Sequence, residues 1–311
     1  MLLRMPQNPV DFSPYLHFSR AEWCEYRQDA PLTLTEENLE KLHGQLETIS
    51  MNEVVEIYLP LSRLLNFYVT ATQSLHQATQ TFLGHRQAKV PFILGVSGSV
   101  AVGKSLTSRV LQALLSRWPN HPHVAIVTTD GFLFPNTVLE KKQLMARKGF
   151  PESYDTEALV TFLQRLKSGE TPLSVPMYSH RDYDIIPNQR EEIHQPDIVI
   201  MEGLNILQPN VLVSDYIDFT IYVDAETAQI KEWFLKRFQL FCERAVKDKQ
   251  SFFHQFTPLT PEEAYKFAER VWHETNEVNL LQNIFPYKNR ADLMLYKSAD
   301  HSVQTVSLRK L

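Results

Sequence analysis

Within the 311 residues, the string Gly98-Ser99-Val100-Ala101-Val102-Gly103-Lys104-Ser105 fits G-x4-G-K-[ST] and stands between a strand-like and a helix-like run. Its glycines let the loop curl until successive backbone N–H groups face inward as an anion nest. The helix opening near Gly103 adds unpaired N–H groups and the positive end of its dipole. Lys104 brings a cation to the β- and γ-phosphates, and the Ser105 hydroxyl offers Mg²⁺ an oxygen. A chain this long shows the string by chance about once in a hundred. The guanine-reading string Asn-Lys-x-Asp is missing, which favours ATP over GTP.

Two acids follow strand-like runs in the same way: Asp130 before Gly131, and Glu202 before Gly203. In open α/β sheets ligands bind beyond the carboxyl ends of the strands, so both carboxylates are expected to face the phosphates. One would hold Mg²⁺ and the other would take the proton of an attacking hydroxyl; spacing alone leaves the two roles unseparated. The plain alternative is a helix cap or loop acid at each place. Arg237 interrupts an apolar helical stripe of Ile230, Trp233, Phe234, Phe238, Phe241 and Ala245. A guanidinium there snorkels, joins a structural ion pair or faces an anion such as a transferring phosphoryl group. Residues 178–184 concentrate hydrogen-bonding side chains, either a substrate-recognition strand or the wet face of a hairpin. Arg109, farther along the phosphate-loop helix, reads as a solvated helix residue.

The elements that must position these groups follow from periodicity. The fold class is α/β, a mainly parallel sheet covered by helices on both faces, with helical N-terminal and C-terminal additions. Strands are expected at 90–96, 123–128, 197–201 and 217–223, with 292–297 as a last strand. Residues 1–89 read as a mostly helical elaboration: the hydroxyls of Thr33 and Thr35 open one helix, and Pro60 kinks or restarts another that begins near Met51. Residues 90–311 form the α/β core, with a hairpin excursion at 173–193 and long helices at 227–246 and 261–283. No linker divides these parts, so the chain reads as one domain.

Composition narrows the partners. Lys and Arg number 31 against 36 Asp and Glu, a net charge of −5, with no basic block, so no nucleic-acid partner is expected. The longest apolar run is far short of the ~20 residues of a membrane helix, and the opening stretch MLLRMPQNPVDFSPY lacks the apolar core of a signal peptide. Two cysteines give neither a disulfide framework nor a thiolate metal cluster. A cytoplasmic small-molecule enzyme is the expectation.

Longer strings extend the picture: EIYLPLSRLLNF at 56–67, LQALLSRWP at 111–119, TTDGF at 128–132, KGFPESYD at 148–155, YSH at 178–180 and EGLN at 202–205. With the phosphate loop, they resemble the bacterial type I pantothenate kinases from Pro14 to His301. The resemblance implies a homodimeric P-loop kinase, related in fold to phosphoribulokinase and uridine kinase. Its reaction is transfer of the ATP γ-phosphate to the primary hydroxyl of pantothenate, the first committed step of coenzyme A synthesis. It implies Asp130 as the residue that activates that hydroxyl, with Lys104 and Arg237 offsetting phosphoryl charge and Ser105 and Glu202 on the metal side. Tyr178, His180, Tyr183, Arg237 and Asn276 become pantothenate-pocket residues, and His301 lies near the adenine. Coenzyme A inhibits the family in competition with ATP; by similarity Lys104, Arg109 and His180 contact it, while Phe238, Phe241 and Phe253 line an aromatic pocket for its thiol end. Phe234 stands where the family pattern has a tyrosine, Val246 where it has a phenylalanine and Thr275 where it has an isoleucine. The alternatives are a related kinase for a nucleoside or sugar phosphate, and a nucleotide-gated regulator that needs no acceptor.

Overall fold

The computed structural model describes residues 13–44, 47–84, 89–209 and 213–311. Residues 1–12, which carry most of the opening stretch read for a signal peptide, lie outside the described residues. Nine strands are described: β1 (Tyr15–Ser19), β2 (Phe92–Gly98), β3 (Val124–Thr128), β4 (Leu173–Ser179), β5 (Asp184–Ile193), β6 (Ile198–Gly203), β7 (Phe219–Ala225), β8 (Leu293–Lys297) and β9 (Val303–Arg309).

Seven of them form one sheet in the order β1-β9-β8-β7-β2-β6-β3. The five from β8 to β3 are parallel, and β9 and β1 extend one edge antiparallel. Strand β2 lies at the centre and is buried along its whole length. Its side chains alternate between two cores: Phe92, Leu94 and Val96 pack on one face with the helices Leu59–Leu83 and Lys104–Leu115. Ile93 packs on the other, with the helix Thr156–Lys167. Helices on both faces explain why the parallel strands read as continuous apolar runs. Because β2, β3 and β6 are parallel neighbours, their C-terminal ends open on the same rim.

The helical readings hold with four differences. The N-terminal region contributes a strand, β1, whose alternation is masked by its exposed edge position. A further strand, β9, follows 292–297; it is short of apolar residues because one neighbour is only the edge strand β1. The expected helix at 261–283 is a helical run with two wide turns, Trp272–Asn276 and Leu280–Ile284. Pro60 neither breaks nor restarts the helix: the run continues from Met51 through a wide turn at Val54–Tyr58, and Pro60 sits in the first turn of Leu59–Leu83. The hairpin β4–β5 is a separate two-stranded sheet. It meets the core where the Pro176 carbonyl lies 2.4 Å from where a Cβ on Gly131 would stand, so only glycine fits beside Asp130.

Candidate active site

The loop after β2 turns into the helix Lys104–Leu115 through Gly103, whose φ of +97° is costly for any residue but glycine. No side chain caps that helix, so its first N–H groups stay available to an anion. The buried Lys297 ammonium comes within 2.5 Å of where a Gly103 Cβ would be. Lys104 donates from Nζ to the Ser99 carbonyl at 2.7 Å. Burial brings the Lys104 ammonium down to about 8, against the pull of Glu202 and Asp130.

Ser105 Oγ donates to Glu202 Oε1 at 2.6 Å, bringing the start of the helix to the end of β6. A hydroxyl beside a carboxylate is a hard-oxygen pair, the donor chemistry that Mg²⁺ takes alongside phosphate oxygens and water. Among the described residues no group of three or more His, Cys, Asp or Glu forms a metal cage of its own. The two residues present therefore suit a metal that arrives with a nucleotide.

Asp130 sits on the turn Thr129–Phe132 at the end of β3, its N–H accepted by Thr128 Oγ1 at 3.3 Å. Its charge bears on Lys104, Lys148, Tyr178, His180, Tyr183 and Arg237. The aspartate and the phosphate-loop lysine thus share one side of the sheet. The hairpin supplies Tyr178 and His180, ring centroids 5.2 Å apart and edge to face, and Tyr183 stacks on Phe252 at 4.7 Å. Burial lowers His180, keeping its imidazole toward the neutral form. Arg237 reaches the same space from the helix Thr227–Ala245; burial pushes it down, while the charges of Glu47 and Asp130 favour its ionised form.

These elements enclose a cavity of about 1020 Å³. Of the residues singled out in the sequence, Val100, Ala101, Ser105, Arg109, His180, Tyr183, Arg237, Asn276 and His301 line it. So do Phe238, Phe241 and Phe253, whose rings pack together, Phe241 and Phe253 with centroids 4.7 Å apart. Arg109 is not the solvated helix residue that its position suggests: it lines the cavity, with Nε donating to the Leu42 carbonyl at 2.9 Å. His301 stacks on Trp233 with centroids 3.9 Å apart. Burial takes His301 down to about 4, so it is neutral at physiological pH.

Sequence reasoning gave no role to three residues. Lys148 is 8% exposed, donates to Asn136 Oδ1 at 2.6 Å and to the Tyr183 carbonyl, and lies 4.1 Å from the centroid of the Tyr183 ring. Burial brings it down to about 8. Its string, KGFPESYD, marked the place but not the chemistry. Glu47 and Lys297 flank Gly103, and no local pattern announces either of them.

A parallel sheet with a glycine loop at its central strand and two carboxylates on the same rim defines a P-loop kinase. The profile of the "Phosphoribulokinase / Uridine kinase family" matches residues 93–237. A pantothenate kinase of Coxiella burnetii (strain Dugway 5J108-111) is 56% identical over 97% of this chain and 98% of its own length. One of Brevibacillus brevis is 53% identical over 96% and 97%. Among solved structures, that of the YGR205w protein covers 78% of this chain and 98% of its own, at 16% identity and a TM-score of 0.50, a likeness of fold alone. The chain belongs to the pantothenate kinase family.

Proposed function

We propose that the whole chain works as one kinase unit that transfers the ATP γ-phosphate to the primary hydroxyl of pantothenate. The observation that carries this reading is the meeting, on one rim of the sheet, of the uncapped phosphate-loop helix and the Asp130 carboxylate, beside a hairpin lined with Tyr178, His180 and Tyr183. The nest, Lys104 and Arg237 hold the triphosphate and offset its charge. Ser105 and Glu202 would hold Mg²⁺, which supplies charge neutralisation at the phosphate oxygens. Asp130 accepts the proton as the alcohol attacks in line. Tyr178, His180, Tyr183, Lys148 and Asn276 position the acceptor, and His301 on Trp233 offers a flat surface to the adenine.

Coenzyme A, which also carries phosphates and an adenine, would occupy the loop region near Lys104, Arg109 and His180, with its thiol end among Phe238, Phe241 and Phe253. Homodimerisation is supported by the apolar side chains that the helix Leu59–Leu83 leaves exposed, Phe67, Leu75 and Phe82 among them. A cytoplasmic setting fits two free cysteines. Among the described residues no helix is long and apolar enough to cross a membrane.

The test is ADP formation from ATP and Mg²⁺ with pantothenate, uridine, a sugar phosphate or no acceptor. Pantothenate alone should drive turnover. ADP release independent of acceptor, or driven by uridine, would overturn the reading.

A further inference from the structure

Behind Asp130 lies a polar group with no part in the scheme above. Tyr154 is 7% exposed, and its hydroxyl is sealed from solvent without a hydrogen bond of ordinary geometry among the described residues. The Thr129 hydroxyl is buried and unpartnered in the same way. Both it and the Asp130 carboxylate lie close enough to the phenol to bear on its ionisation. Burying a hydroxyl unpaired costs free energy that a phenylalanine in the same slot would avoid. A polar group kept in so apolar a place, against the carboxylate read as the base, points to a role in the reaction.

The surroundings make the placement rigid. Leu133 and Tyr154 form an antiparallel bridge, and Asp155 N–H donates to the Phe132 carbonyl at 2.7 Å, so the Tyr154 segment is fastened to the turn that carries Asp130. Thr129 is pressed on β6: its Oγ1 stands 2.0 Å from where a Gly203 Cβ would be. A small void of about 10 Å³, lined by Thr129, Tyr154 and Asn205 among others, leaves the two hydroxyls room to turn. Burial and the nearby Asp130 charge hold the phenol well above its ordinary ionisation range, so it serves as a donor and keeps its proton.

We propose that Tyr154 is the positioning residue of the base: its O–H donates to the Asp130 carboxylate, directly or through the Thr129 hydroxyl, and fixes the oxygen that faces the acceptor alcohol. In turnover the alcohol proton passes to Asp130 and the Tyr154 proton stays where it is. The inference rests on Asp130 being the base.

The experiment is a double-mutant cycle in the full-length enzyme, read by pantothenate-dependent ADP formation. Tyr154→Phe keeps the ring and removes only the donor. It should lower kcat about tenfold or more, with KM for ATP and for pantothenate within about twofold and the thermal midpoint not lowered. In an Asp130→Asn background the same change should add nothing, because the carboxylate it serves is gone. Unchanged kcat in Tyr154→Phe, or an equal further loss in the Asp130→Asn background, overturns the proposal and leaves Tyr154 a packing residue. Near-normal turnover in Asp130→Asn itself would instead overturn the base assignment, and this inference with it. Where that background is too slow to read, the acidic limb of the pH–rate profile decides. Tyr154→Phe should move it to higher pH, since the carboxylate loses a donor; an unmoved limb overturns the proposal.

Discussion

The Ser105 hydroxyl donates to the Glu202 carboxylate across 2.6 Å, so the first turn of the phosphate-loop helix and the end of β6 share one pair of oxygens. Residues nearly a hundred positions apart are brought together by the parallel pairing of β2 with β6. Glu202→Gln keeps the shape and removes the charge. It should raise the Mg²⁺ concentration needed for half-maximal turnover about 10- to 100-fold, read from a Mg²⁺ titration of ADP formation. ATP binding without metal should change little.

Asp130 sits on a turn that meets the hairpin at Gly131. Asp130→Asn should reduce kcat by about 100- to 10,000-fold, the usual worth of a general base. ATP affinity, set by the loop, should stay within a few-fold by calorimetric titration.

The pH dependence of nucleotide binding follows from Lys104. Its free-enzyme ammonium titrates near 8 because it is buried, and a bound triphosphate draws it back upward. Below about 8 the charge is already present and binding is strongest. Above it, each pH unit should weaken ATP binding by up to about tenfold, because a proton must be taken up on binding. Titrations across the alkaline range check this. The contribution to stability runs the other way: carrying Lys104 and Lys148 charged in the fold is a cost in full below about 8, and it fades as pH rises toward the ordinary lysine value.

Gly103 has two reasons to be glycine, its φ of +97° and the Lys297 ammonium where a Cβ would go. Gly103→Ala should cost about 1–3 kcal/mol of stability and most of the affinity for ATP. Gly103→Ala combined with Lys297→Ala should recover only part of either, because the strained dihedral remains. Thermal unfolding and ATP titration of the single and double variants test both statements.

Phe241 is half-buried and lines the cavity with Phe238 and Phe253. Phe241→Ala should weaken inhibition by coenzyme A about tenfold while KM for ATP stays near its original value. Equal inhibition of the variant and the parent would remove this end of the cavity from the inhibitor's binding site.

Much of this is legible in the amino-acid sequence alone. The phosphate loop is a contiguous string whose chemistry is local, and β6, which carries Glu202, announces itself because Ile198 to Met201 are all buried, while β3 before Asp130 is a short apolar run that is only partly buried. Arg237 stood out as a charge inside an apolar stripe. The misses have a common cause. Strands β1 and β9 lie on the antiparallel edge of the sheet, where burial is one-sided and the apolar run breaks up. Lys148, Glu47 and Lys297 matter through distant partners, and a lysine's burial cannot be seen from its neighbours in sequence. Tyr154 stands within one of the longer strings, but its burial beside the Thr129–Phe132 turn depends on a bridge to Leu133 that no local pattern shows.

The hairpin β4–β5 forms a sheet of its own, in contact with the turn that carries Asp130, where Pro176 abuts Gly131. Tyr178, His180 and Tyr183 therefore ride on a two-stranded arm outside the main sheet, while Ser105 and Glu202 are fastened to its central strands. Substitutions on that arm can therefore change what surrounds Asp130 without disturbing the pairing of β2 with β6.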